Sequence, residues 1–119
     1  MSEQACQPDP PPQDWASVCR HMNGTATQMA GDATQVIANA LHLAEICKGK
    51  FAAPQTVGKG YWDTVTLQWK GIEVEVFRDH LELYLFHSKG LEIEHFNLTS
   101  DGRIPRDFLS ALRFAFYAA

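Results

Sequence analysis

A chain of 119 residues with 45% apolar and 20% charged side chains has the length and balance of one globular domain. Its net charge of −4 argues against non-specific nucleic-acid binding, which requires a basic footprint, so no direct nucleic-acid contact is expected. No apolar run approaches the ~20 residues of a membrane-spanning helix, so no membrane partner is expected either.

Residues 1–12 are polar and proline-rich, unlike a signal peptide, and read as a disordered tail ahead of a single domain over 13–119. Three cysteines, Cys6, Cys19 and Cys47, form an odd set whose spacing matches no zinc motif. Reduced thiols in a cytoplasmic protein are the expectation.

From Trp15 a period near seven runs through Met22, Met29, Val36 and Leu43, and each is followed four residues later by Cys19, Ala26, Ala33, Ala40 or Cys47. Large and small residues on one stripe permit close approach of a second helix or a sheet. Gly24 and Gly31-Asp32 interrupt the stripe, so two helices are predicted within 13–48, about 13–23 and 32–48. Asp32 would cap the second and Gly49 would end it; one kinked helix is the alternative. Residues 49–60, with Pro54, Gly58 and Gly60, read as a loop.

Strict alternation then marks a sheet over 61–97, because successive strand side chains point to opposite faces. Val65, Leu67 and Trp69 form one aliphatic set, Ile72, Val74 and Val76 a second, Leu81, Leu83 and Leu85 a third, and Leu91, Ile93 and His95 a fourth. Lys70-Gly71 suits a two-residue hairpin, Arg78 to Leu81 closes the next with Phe77 opposite Glu82, and Ser88-Lys89-Gly90 suits a three-residue loop. Ser100-Asp101-Gly102 makes a turn, and Pro105 opens a last helix over 105–117 with Phe108, Leu109, Leu112, Ala115 and Phe116 on one stripe. The predicted fold class is α+β: a four-stranded antiparallel meander with N-terminal helices and a C-terminal helix packed on its aliphatic face.

In these registers the opposite face has three rows: Thr64, Phe77, Glu82 and Phe96; Thr66, Glu75, Tyr84 and Glu94; Gln68, Glu73, Phe86 and Glu92. Five carboxylates and four rings share it without a Lys or Arg. Charge concentrates in the same half of the chain, with five acids and four bases in residues 1–60 against nine acids and six bases in 61–119.

Nothing in the chain carries the spacing of a catalytic motif. The histidines at 21, 42, 80, 87 and 95 form no ligand-like pair in sequence, and His95 takes an inward slot beside Leu83 as a structural residue. The glutamate pairs 73/75 and 92/94 lie on an open face, where no desolvation would separate their roles. There is no phosphate-binding glycine loop and no nucleophile elbow. The expectation is therefore a non-enzyme without cofactor or metal.

Carboxylates interleaved with rings offer ion pairs and cation–π contacts to Lys and Arg, together with apolar anchors. The leading functional expectation is a small acidic inhibitor, immunity or antitoxin-like adaptor. It would present Glu73, Glu75, Phe77, Glu82, Tyr84, Phe86, Glu92, Glu94 and Phe96 to a basic protein such as a nucleic-acid-processing enzyme or toxin. The alternatives are a homodimer through the Ala-rich helices and a small-molecule-binding protein whose helix–sheet interior is lined by Trp15, Trp69, His95 and Cys47. A plain solvated sheet face is the competing structural explanation.

Overall fold

The computed structural model describes residues 14–118; the tail expected over 1–12 and its Cys6 lie outside that range. The chain is α+β, as its alternation and stripes predict. Helix α1 (Trp15–Thr25) leads through a 3-10 turn (Ala26–Gln28) to α2 (Thr34–Cys47). Strands β1 (Thr56–Lys59), β2 (Val65–Trp69), β3 (Ile72–Val76), β4 (His80–His87) and β5 (Gly90–Asn97) follow, and α3 (Arg106–Ala118) ends the domain. The strands form one antiparallel sheet in chain order.

Both N-terminal helices start where short carboxylates can take up free backbone N–H groups. Asp14 accepts from the Ser17 amide at 2.8 Å, and Asp32 accepts from the Thr34 amide at 2.9 Å. Gly49 follows α2 with φ 84°, a conformation open to glycine. Val18 and Met22 of α1, with Val36, Ala40, Leu43 and Cys47 of α2, are buried with Phe108 and Leu112 of α3 against Val65, Leu67, Val74, Val76, Leu81 and Leu83. The Ala-rich stripe thus packs inside the domain: Ala40 is fully buried, and Ala26 and Ala33 are half-buried against the core.

The sheet has five strands, not the four expected. The segment 49–60, read as loop, contains β1, which pairs Thr56 with Gln68 and Lys59 with Val65. A strand of four residues with Gly58 inside it has no alternating apolar pattern to announce it. Backbone pairing to the edge of β2 makes it a strand.

Two of the three expected strand registers also differ in the structure. The Lys70-Gly71 hairpin is as expected, with Trp69 opposite Ile72 and Gly71 at φ 77°. Between β3 and β4 the turn is only Arg78-Asp79, closed by the Phe77 amide donating to the His80 carbonyl at 2.9 Å. That moves the pairing by two residues, so Glu75 faces Glu82 and Glu73 faces Tyr84. A shift of two preserves the faces. Asn39 of α2 holds this turn in place by donating to the carbonyls of Phe77 and Arg78, both at 3.0 Å.

Between β4 and β5 the shift is one residue, and it exchanges the faces of β5. Gly90 is not a loop residue but the first residue of the strand, opposite His87, with Phe86 opposite Leu91, Tyr84 opposite Ile93 and Glu82 opposite His95. Glu92, Glu94 and Phe96 therefore point to the helix side, while Leu91, Ile93 and His95 point to the open face. The anchor is Phe96, whose ring packs edge-on against Phe108 of α3 at 5.4 Å. At the other end of β5, Leu91 and Ile93 remain about half exposed.

Candidate functional site

Reading across β2 to β5 in the observed registers, the open face carries Thr64, Thr66 and Gln68, then Glu73 and Glu75, then Glu82, Tyr84 and Phe86, then His95, Ile93 and Leu91. Of the nine residues expected on it, Glu92, Glu94 and Phe96 are absent, and five carboxylates are reduced to three. The face divides into two regions of different chemistry.

The first is a polar network at its centre. Glu75 is only 7% exposed because the chain at Gly60 crosses over it: a Cβ added there would lie 2.6 Å from Glu75 Oε2. Thr64 donates to Glu75 Oε2 at 2.6 Å. The Tyr84 hydroxyl lies 2.8 Å from Glu75 Oε1 and 2.6 Å from Glu82 Oε1. A phenol has one proton, so it donates to one of these carboxylates at a time. Burial, and then hydrogen bonding to Glu82 and Glu75, push the Tyr84 phenol well above its usual range.

Glu82 continues the network toward β5. Its Oε2 lies 3.3 Å from His80 Nε2 and 3.7 Å from His95 Nδ1. The two imidazoles stack with centroids 4.2 Å apart, and Phe77 stacks on the other side of His80 at 4.0 Å. Asp79 Oδ1 binds His80 Nδ1 at 2.7 Å, and that bond holds the Asp79 carboxyl below its ordinary range. Asn97 Oδ1 binds His95 Nε2 at 2.9 Å. His80, Glu82 and His95 are brought together by cross-strand register, which sequence spacing alone did not reveal. The available signal was His80-x-Glu82, two apart and so on one face of a strand.

The second region is apolar and lies toward the β4–β5 turn. Phe86, Leu91 and Ile93 are 52, 52 and 54% exposed and form a contiguous patch at the free edge of the sheet. On the reverse side of β5, Glu92 and Glu94 line a groove against Leu85, Ala111 and the exposed Phe114 of α3. Glu92 also lies 3.4 Å from His87.

The interior expected to admit a small molecule is filled differently. Trp15 and Trp69 pack at 6.4 Å, with their indoles donating to the carbonyls of Phe51 and Ala52, both at 2.8 Å. Cys47 is buried, which pushes its thiol up to about 12. His95, expected to line this interior, stands on the opposite side of the sheet. Comparison with protein families, with curated proteins and with solved structures found no match.

Proposed function

We propose that the protein is a protein-binding module whose β5 edge takes up an extended segment of a basic partner. The observation that supports this reading is the state of β5 itself. Among the described residues it is the last strand of the sheet, every residue in it except Phe96 is exposed, and its two faces differ in chemistry.

The backbone geometry supports strand addition as the docking mode. The Leu98 amide donates to Asp79 at 3.3 Å, and antiparallel pairs alternate between bonded and non-bonded. The amides of Glu92, Glu94 and Phe96 therefore point into the sheet, and those of Leu91, Ile93 and His95 point outward. An added strand would bond to these outward amides. Its side chains opposite Leu91 and Ile93 would reach the apolar patch with Phe86, and those opposite Glu92 and Glu94 would meet carboxylates. A segment alternating aliphatic residues with Lys or Arg satisfies both faces.

A second copy of the chain fits less well. Twofold pairing centred on Ile93 would set Glu92 against Glu94, and centring on Glu94 would set that residue against itself; directly opposed like charges destabilise a sheet. The carboxylates therefore discourage self-pairing while they attract a basic strand.

The test is selection from a library of displayed extended peptides, followed by binding measurements on the enriched sequences. Enriched peptides should alternate basic and aliphatic residues, bind the native protein, and lose binding to the Glu92→Lys/Glu94→Lys variant. Enrichment without that alternation, or equal binding to the variant, counts against the reading.

A further inference from the structure

We propose that His80, Glu82 and His95 form a binding site for a divalent first-row transition ion, of which zinc is the best match. One ligand atom from each residue lies within 4.8 Å of the others, and Glu82 Oε2 faces both His80 Nε2 and His95 Nδ1. Ligands bound tetrahedrally at ~2.0–2.1 Å stand roughly 3.3–3.4 Å apart. His80 Nε2 and Glu82 Oε2 are already at 3.3 Å, and His95 Nδ1 is at 3.7 Å from the same oxygen. The His80 and His95 rings stack at 4.2 Å with their planes 18° apart, so binding requires the half-exposed His95 ring to swing out of that stack until its Nδ1 lone pair points at the ion held by His80 and Glu82.

What distinguishes this cluster from an incidental meeting of polar groups is its outer shell. A metal-binding histidine ordinarily donates its other ring N–H to a carboxylate or carbonyl, which sets the tautomer and aims the lone pair. Here Asp79 holds His80 through Nδ1 at 2.7 Å, and Asn97 holds His95 through Nε2 at 2.9 Å. Each ring is thereby left with its free nitrogen on the Glu82 side. Glu82 is itself held through its other oxygen, Oε1, by Tyr84 at 2.6 Å. All three ligands have a partner on the atom that does not ligate.

Electrostatics favour a cation at the same point. Glu75 and Glu82 are directly opposed across β3 and β4, and a dication beside Glu82 would offset their repulsion. Donor chemistry narrows the ion. Two imidazoles with one carboxylate suit zinc and its first-row neighbours, whereas magnesium and calcium prefer oxygen alone. Three protein ligands on an accessible sheet face leave a coordination position for water or a partner's side chain.

The test titrates Zn2+ into the full chain after chelator treatment by calorimetry, and records the visible absorption of the Co2+ form. The expected result is one ion per chain, with a Co2+ spectrum of nitrogen and oxygen ligands in low coordination. His95→Ala and Glu82→Gln should abolish that binding, while His87→Ala leaves it unchanged. Asn97→Ala, which removes only an outer partner, should weaken it by ~10–100-fold. Absence of binding by the native chain, or equal affinity in His95→Ala and Glu82→Gln, overturns the proposal. So does a Co2+ spectrum dominated by thiolate charge transfer, which would place the ion on cysteine. If His95→Ala fails to fold, the Asn97→Ala titration decides: unchanged affinity there rejects the site.

Discussion

Glu75 and Glu82 face one another across β3 and β4, and the single proton of the Tyr84 hydroxyl is what lies between their carboxylates. Two like charges in direct cross-strand register are tolerated because each has a donor within reach, Thr64 for Glu75 and Tyr84 for both. The expected consequence is that Tyr84→Phe lowers stability by about 1–3 kcal/mol, the range for losing a hydrogen bond to a charged group. Adding Glu75→Gln to that variant should recover part of the loss by removing one of the opposed charges. Urea denaturation of the two variants and the native chain measures both effects.

The register of β5 makes opposite predictions for two neighbouring positions. Ile93→Asp places a charge on a half-exposed site and should change stability by less than about 0.5 kcal/mol. Phe96→Asp removes the ring that packs on Phe108 and should cost roughly 2–4 kcal/mol. Had the aliphatic set faced the helices, the ranking would be reversed. Thermal melts of the pair decide it.

Gly60 is required by space, not by backbone conformation. Its φ is not in the positive region, but a side chain there would meet Thr64 and stand 2.6 Å from Glu75 Oε2. Gly60→Ala should destabilise by ~1–3 kcal/mol through overpacking. In a Glu75→Ala background the added cost should be smaller, since the nearest carboxylate is gone. A double-mutant cycle reads the coupling between the two positions.

Cys47 gives the protein an alkaline limit. Burial raises its folded pKa to about 12, above the ~8.5 of an unfolded thiol. The folded state therefore holds the proton more tightly. The associated stability is fully present below the unfolded value and is lost as pH rises toward the folded one. Denaturation midpoints should fall over roughly pH 8.5 to 12, and thiol reagents at neutral pH should label Cys47 only when the chain unfolds. The alkaline loss should be smaller in Cys47→Ala, although that variant starts from a lower stability because of the cavity it leaves.

Much of the architecture was legible in the chain. The sets Val65-Leu67-Trp69, Ile72-Val74-Val76 and Leu81-Leu83 are apolar on one parity and polar on the other, so their faces follow from the period of a strand. The helices follow in the same way from spaced large residues and, for the second, from the Asp32 carboxylate at its start. β1 was not legible, because Thr56–Lys59 has no apolar pattern and exists as a strand only through the backbone of β2.

β5 shows where sequence stops deciding. Both of its parities contain apolar residues, Leu91 and Ile93 on one and Phe96 on the other, so alternation identifies a strand but not the side that faces the core. The α+β class, the helix stripes and the central strands were determined by sequence alone, because period and burial agree there. Tertiary structure alone decided the orientation of β5, since Phe108 meets Phe96 while the Leu91 end of the strand stays exposed. With that single choice it moved Glu92 and Glu94 off the open face, freed Leu91 and Ile93 at the sheet edge, and set His95 beside Glu82 and His80.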